Sequence, residues 1–206
     1  MVIKRAKSVK RKAQTLKNKN ILITAGSTWV PIDQVRVISN IATGSTGILL
    51  AECLRRRGAK VKLILGPFEL GELNRQIKRE LKSKKYDIVI HSAAVSDYKP
   101  KRAISAKIRS GLKSLKLELI PTKKIINAIK RLSPKVILVG FKFEPQASRN
   151  FLVSEARKLM RKSASDLVVA NTTGSRGYQA FIVNAAEVYG PYANKSDLVA
   201  NLVKHL

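Results

Sequence analysis

The chain has 206 residues, 45% hydrophobic, with a single cysteine: enough to bury a sizeable core, and too few thiols for a disulfide framework. Its 41 Lys and Arg against 13 Asp and Glu give a net charge of +28, a field that draws polyanions or small phosphorylated substrates. No apolar run reaches the roughly 18 to 20 residues that cross a bilayer, and the first residues lack the apolar core of a secretory signal, so the sequence reads as cytoplasmic, with no membrane role.

Residues 1–19 carry eight bases and no acid, and Val2, Ala6, Val9, Ala13 and Leu16 recur at spacings of four and three. The pattern fits an amphipathic helix, read as a basic extension ahead of one domain spanning 20–206. Within that domain short apolar runs alternate with helical stretches. Strands are expected at 21–24, 61–65, 86–91, 115–120, 136–141 and 167–170. Helices are expected at 48–57, 70–84, 125–132, 150–162 and 195–205. Residues 105–111 read as a mobile basic loop, and 180–183 with 187–189 as a closing antiparallel pair. Cys53 falls in the apolar stripe of its helix, and Trp29 reads as a surface loop residue. Near-continuous apolar strands alternating with helices predict an α/β, Rossmann-like three-layer fold, its sheet mostly parallel with a small antiparallel C-terminal pair.

Ligands in such folds sit at the carboxyl ends of the strands, so the loops after residues 24, 91, 141 and 170 are expected to converge. The first holds Gly26, Asp33, Arg36 and Asn40, then Thr43, Gly44 and Gly47 opening a helix whose N–H groups suit an anion. The second holds Ala93 and Ala94, small enough for close approach to the backbone, and Asp97. Lys107 and Arg109 sit in the basic loop, Phe141 and Asn171 close two strands, and Lys158 and Lys162 lie one helical turn apart. On residue type alone Asn40 also suits a helix cap, Phe141 a core position, and the lysines solvated charge.

Absences narrow the chemistry. There is no Gly-x-x-x-x-Gly-Lys-Ser/Thr loop, no Gly-x-Gly-x-x-Gly fingerprint, and no acid at the end of the second strand, which reads Leu65-Gly66-Pro67. Two histidines, unsupported by further cysteines, argue against a zinc site or a Ser-His-Asp triad.

An ordered series of blocks resembles the phosphopantothenate–cysteine ligase family: Thr24-x-Gly26-x-Thr28, Pro31-Ile-Asp33-x-Val35-Arg36-x-Ile38-Ser-Asn40, Thr43-Gly44-x-x-Gly47, Ala93-Ala-Val-Ser-Asp97-Tyr, Lys107-Ile, Gly140-Phe-Lys-x-Glu144, Lys158, Lys162, Asp166 and Val169-Ala-Asn171. The series runs from about residue 21 to 189. The resemblance implies ligation of L-cysteine to 4'-phosphopantothenate in coenzyme A biosynthesis, through an acyl-nucleotidylate made from CTP or ATP with Mg2+. It implies Asn40 and Lys107 as catalytic residues and Ala93, Ala94 and Asp97 with Asn40 around the substrate. On the nucleotide side it implies Gly26, Thr43, Gly44, Gly47, Asp97, Lys107, Phe141, Lys158, Lys162 and Asn171. It further implies a homodimer and, as a partner, a separate phosphopantothenoylcysteine decarboxylase, because only about twenty residues precede the first strand. The sequence departs from the family pattern at 42–47, where Ser-Ser-Gly-Lys-Met-Gly becomes Ala-Thr-Gly-Ser-Thr-Gly and the turn loses its lysine. Two other readings share the same composition, a basic nucleic-acid-binding protein and a catalytically silent scaffold; with the bases spread along the chain and only 5% aromatics to stack nucleotides, nucleic acid is not the expected partner.

Overall fold

Strand β1 (Asn20–Ala25) runs through the centre of the molecule, and its five residues after Asn20 are all buried. Successive side chains alternate between faces, so each face needs its own cover. Ile21 and Ile23 pack with helices α1 (Ser45–Arg56) and α5 (Lys195–Leu202). Leu22 packs on the other side with α2 (Leu70–Ser83) and α3 (Ile126–Leu132), and α4 (Arg149–Ser163) extends that second layer. Burial on both faces explains why the strand reads as an unbroken apolar run. The computed structural model describes residues 16–175 and 177–206. The amphipathic pattern of residues 2–16 therefore lies outside the described residues, apart from Leu16, which is buried in the α1–α5 core.

The main sheet has seven strands in the order β12-β11-β10-β9-β6-β1-β4. Strands β4 (Lys60–Leu65), β1, β6 (Ile88–His91), β9 (Ile137–Phe143) and β10 (Leu167–Gly174) are parallel. Strands β11 (Gly177–Val183) and β12 (Val188–Tyr192) close the edge antiparallel. In the parallel part the chain first steps from β1 to β4 and then crosses back to β6. Strand order thus reverses between β1 and β6, the switch point where open α/β sheets leave a crevice. Thr24 pairs with His91, and His91 with Gly140, which sets the carboxyl ends of three strands level.

The three-layer fold expected from the sequence is present, with corrections at its edges. The expected antiparallel pair is β11 with β12, while β10 continues past Ala170 to Gly174, because Thr172 and Thr173 extend its ladder with β11. Asn171 therefore lies inside a strand. Of the expected 115–120 strand, only β8 (Leu119–Pro121) forms, paired with β7 (Tyr98–Pro100). The alternation of Leu115, Leu117 and Leu119 finds no apolar surface to face, and all three side chains are exposed. The 195–205 helix ends at Leu202 and finishes as a 3-10 turn (Val203–His205). A small sheet of β2 (Thr28–Pro31), β3 (Val37–Ser39) and β5 (Phe68–Glu69) was not evident in the sequence, and it takes Trp29 out of a loop and into a half-buried strand position. Cys53 packs half-buried against the α1–α5 core. Among the described residues no helix is long and apolar enough to cross a membrane.

Candidate functional site

Two turns and one loop meet at the β1–β6 switch point. The first turn is built on crowding. Gly26 has φ 86° and Gly44 has φ 76°, a region where a side chain strains the backbone. A Cβ on Gly44 would sit 3.0 Å from the Gly26 nitrogen, and one on Gly47 would sit 2.3 Å from the Ala25 Cβ. The three glycines thus let the start of α1 press directly on the end of β1. No side chain caps α1 at Gly44. Thr43 Oγ1 accepts the Ser45 N–H at 3.3 Å. The remaining first-turn N–H groups carry the positive end of the helix dipole.

The second turn follows β6. Ala94 N–H donates to the Gly26 carbonyl at 2.9 Å, and Thr28 N–H donates to the Ala94 carbonyl at 3.1 Å, lacing the two turns together. Asn40 joins them: its Nδ2 donates to the Ala94 carbonyl at 3.0 Å while the residue stays exposed. Its amide oxygen remains an acceptor and its second N–H a donor. Below them Thr28 and Ser96 form a buried hydroxyl cluster: Thr28 Oγ1 accepts the Ser96 N–H at 2.8 Å, and Ser96 Oγ donates to the Thr28 carbonyl at 3.0 Å. His91 supports the same region from inside. It is buried, its Nδ1 lies 2.7 Å from Thr24 Oγ1, and burial pushes its pKa down to about 4, so the ring is neutral at pH 7.

The loop is tethered by Asp33. This buried carboxylate accepts N–H bonds from Val35 at 2.8 Å, Arg36 at 2.7 Å and, across 75 residues, Ile108 at 3.0 Å. The Arg36 guanidinium pairs with it and also donates to the Ile108 carbonyl at 3.3 Å. The Ile108 bond leads the causes that hold the Asp33 pKa well below the usual carboxylate range; burial opposes it, and the other N–H bonds and Arg36 add to it. Asp33 thereby fixes the position next to Lys107, which is exposed and makes no hydrogen bond or ion pair among the described residues.

The structure therefore brings together Gly26, Asn40, Thr43, Gly44, Gly47, Ala93 and Ala94, and anchors Lys107 beside the Asn40 hairpin. Asp97 lies on the same rim, ion-paired with Lys124. Phe141, on β9, turns toward the α1 face. Lys158 and Lys162 do not join this group. They lie on α4, across the sheet from α1, where Lys158 bonds Glu155 at 2.6 Å and both lysines help to hold the Glu155 pKa down. Asn171 lies inside β10, its carbonyl accepting the Glu144 N–H at 3.0 Å.

Four contributors lie outside the site residues expected from the sequence. Asp33 and Arg36 enter the sequence reading only as loop and family-pattern positions, although Asp is a residue whose side chain bonds its own backbone two residues on, as here with Val35. Lys124 carries no motif of its own and gains its place only through the ion pair with Asp97. Lys195, at the start of α5, donates to Ser45 Oγ at 2.7 Å across 150 residues and brings an ammonium to the start of α1, a contact no local pattern carries.

The family model for the DNA/pantothenate metabolism flavoprotein C-terminal domain matches residues 16–202. A coenzyme A biosynthesis bifunctional protein CoaBC of Thermococcus kodakarensis is 43% identical over 177 residues, covering 80% of this chain and 44% of that protein. The chain spans about half the length of the curated relatives it matches. The crystal structure of a DNA/pantothenate metabolism flavoprotein from Streptococcus pneumoniae superposes with a TM-score of 0.79 at 27% identity, over 91% of this chain and 97% of that one. That of the C-terminal domain of a CoaBC protein gives 0.74 at 26% identity, over 93% and 95%.

Proposed function

Because the chain belongs to the family of DNA/pantothenate metabolism flavoprotein C-terminal domains, we propose that it ligates L-cysteine to 4'-phosphopantothenate, a step of coenzyme A biosynthesis driven by CTP or ATP. The observation that carries this reading is the Asn40–Ala94 bond, which holds a neutral amide beside the uncapped start of α1 at the switch point.

In the first half-reaction a carboxylate oxygen of phosphopantothenate attacks the α-phosphorus of the nucleotide, the bond to the β-phosphate breaks, and pyrophosphate leaves. In the second the cysteine amine attacks the acyl carbon, the nucleoside monophosphate leaves, and the amine proton passes to solvent. Asn40 suits both steps, since an amide hydrogen-bonds a carboxylate or acyl oxygen without taking its proton. The first-turn N–H groups of α1 that Thr43 leaves free donate to phosphate oxygens. Ala93 and Ala94 leave room for the pantothenate arm, and Asp97 lies on the rim with Lys124. Lys107 offsets charge on the departing pyrophosphate, and the Lys195 ammonium adds a cation where the turn itself has none. Phe141, Lys158, Lys162 and Asn171 enter only through the resemblance. Magnesium belongs to this reading as the counter-ion of the triphosphate. Among the described residues no cluster of three or more His, Cys, Asp or Glu side chains could hold it alone.

The active unit is a homodimer in this reading, supported by exposed Leu112, Leu115, Leu117 and Leu119 beside the basic loop, an apolar row that a second copy would cover. A separate phosphopantothenoylcysteine decarboxylase would take the product onward. The test is pyrophosphate release with CTP and with ATP. The proposal expects release to require phosphopantothenate, and full turnover to require cysteine as well. Nucleotide hydrolysis indifferent to both would overturn it.

A further inference from the structure

The outward face of α4 plays no part in the proposed ligation. Arg149, Arg157 and Arg161, with Asn150, Val153 and Val188, line an open groove of about 480 Å³ between this helix and the edge strand β12. No acid lines it. Arg149 rests with its guanidinium carbon 5.8 Å from the centre of the Phe181 ring. Arg157 and Arg161 are exposed and make no hydrogen bond or ion pair among the described residues. The one acid of α4, Glu155, is engaged elsewhere, by Lys158 at 2.6 Å and Lys142 at 4.0 Å. Three guanidinium groups without a counter-ion thus border one cavity, an arrangement that favours an anion able to accept forked hydrogen bonds.

Their spacing narrows the anion. At 1.5 Å rise per residue, Arg157 and Arg161 stand about 6 Å apart along the helix axis and Arg149 lies about 12 Å further. A file about 18 Å long outruns a free triphosphate, whereas a nucleic acid strand offers a phosphate at each step along it. Turned within about 120° of one another around α4, the three share one side of the helix and border a groove walled by one helix and one strand, which suits one strand rather than the two of a duplex. No aromatic side chain lines the groove, so bases would go unread. We propose that the α4–β12 groove binds the phosphodiester backbone of a single RNA strand without regard to sequence. This function stands apart from the ligation reading and gives part of the +28 charge a use.

The experiment is fluorescence anisotropy of the full chain with a labelled oligouridylate across a salt series. Two triple variants lose the same charge: Arg149→Gln, Arg157→Gln, Arg161→Gln in the groove, and Lys78→Gln, Arg79→Gln, Lys82→Gln on α2. The groove variant is expected to bind at least about tenfold more weakly, with the slope of log K against log salt reduced by about 2, the value for three lost contacts to a single strand. The α2 variant is expected to lose much less. Thermal unfolding of both variants checks that the fold is retained, and the double variant lacking only Arg157 and Arg161, both exposed, repeats the test without touching the Phe181 contact. Equal losses in the two triple variants would overturn the proposal. So would absence of binding by the parent chain, or tripolyphosphate displacing the strand at equal phosphate concentration.

Discussion

The glycine turn and the 101–118 loop lie at the same end of the sheet and are held by opposite means. The turn is fixed by contact: Gly26, Gly44 and Gly47 leave no room between α1 and β1. The loop is fixed by a few directional bonds, chiefly Ile108 to Asp33, Arg36 to Ile108, and Ile104 N–H to the Ile32 carbonyl at 3.0 Å. Its leucines face outward and a Cβ on Gly111 would meet nothing within 4 Å. The lesson is a division of labour. Crowded packing sets the position of the glycine turn, and a carboxylate latch sets the position of the loop next to Lys107.

That contrast has measurable consequences. Changes in the loop should act on rate and spare stability, and changes in the turn should act on stability first. Lys107→Gln should slow pyrophosphate release by roughly two to three orders of magnitude, the scale for one lost transition-state contact, with urea unfolding unchanged because an exposed lysine adds little. An unaltered single-turnover rate would reduce Lys107 to solvated charge. Gly47→Ala should do the reverse in kind. Its Cβ would fall 2.3 Å from that of Ala25, so α1 must shift, at about 2 kcal/mol by urea denaturation. Unchanged stability would mean the turn is looser than its contacts indicate.

Asp33→Asn keeps the size of the latch and removes its charge. The loop should then be held less firmly, with turnover falling about tenfold, on the scale of one weakened charge-assisted bond. Hydrogen exchange should rise at Ile108 and not at Ile23. Uniform exchange changes across both regions would erase the distinction drawn here. The smallest effect concerns pH. His91 has a folded pKa lowered to about 4 against the usual 6.5, so the unfolded chain takes up a proton first as the solution is acidified. Stability should fall as pH drops from 6.5 toward 4, by roughly 1 kcal/mol between pH 7 and 5.5 from this group. A His91→Gln variant should flatten that slope, which denaturation midpoints across the range will read.

What the sequence makes legible follows the same division. The β1 and β6 runs, the helices and the Gly26–Gly44–Gly47 spacing are local patterns, and each survives in the structure. The bonds from Asp33 to Ile108 and from Lys195 to Ser45 span 75 and 150 residues and leave no periodic trace. The 115–120 segment shows the converse failure. Its alternation imitates a half-buried strand, but a strand also needs a partner and a face to cover, and only Leu119–Pro121 finds a partner. Asn171 misled for a related reason, since a polar residue after an apolar run looks like a strand end unless the hairpin with β11 is seen.

The central claim is that Asn40, held against Ala94, stabilises the acyl intermediate for attack by cysteine. The most direct measurement is mass spectrometry of Asn40→Asp mixed with phosphopantothenate, nucleotide and cysteine. A carboxylate there accepts but does not donate and repels an acyl oxygen, so the account predicts pyrophosphate release with accumulation of the acyl-nucleotidylate and little cysteine adduct. Formation of the cysteine adduct at the parent rate, with no intermediate detected, would contradict it.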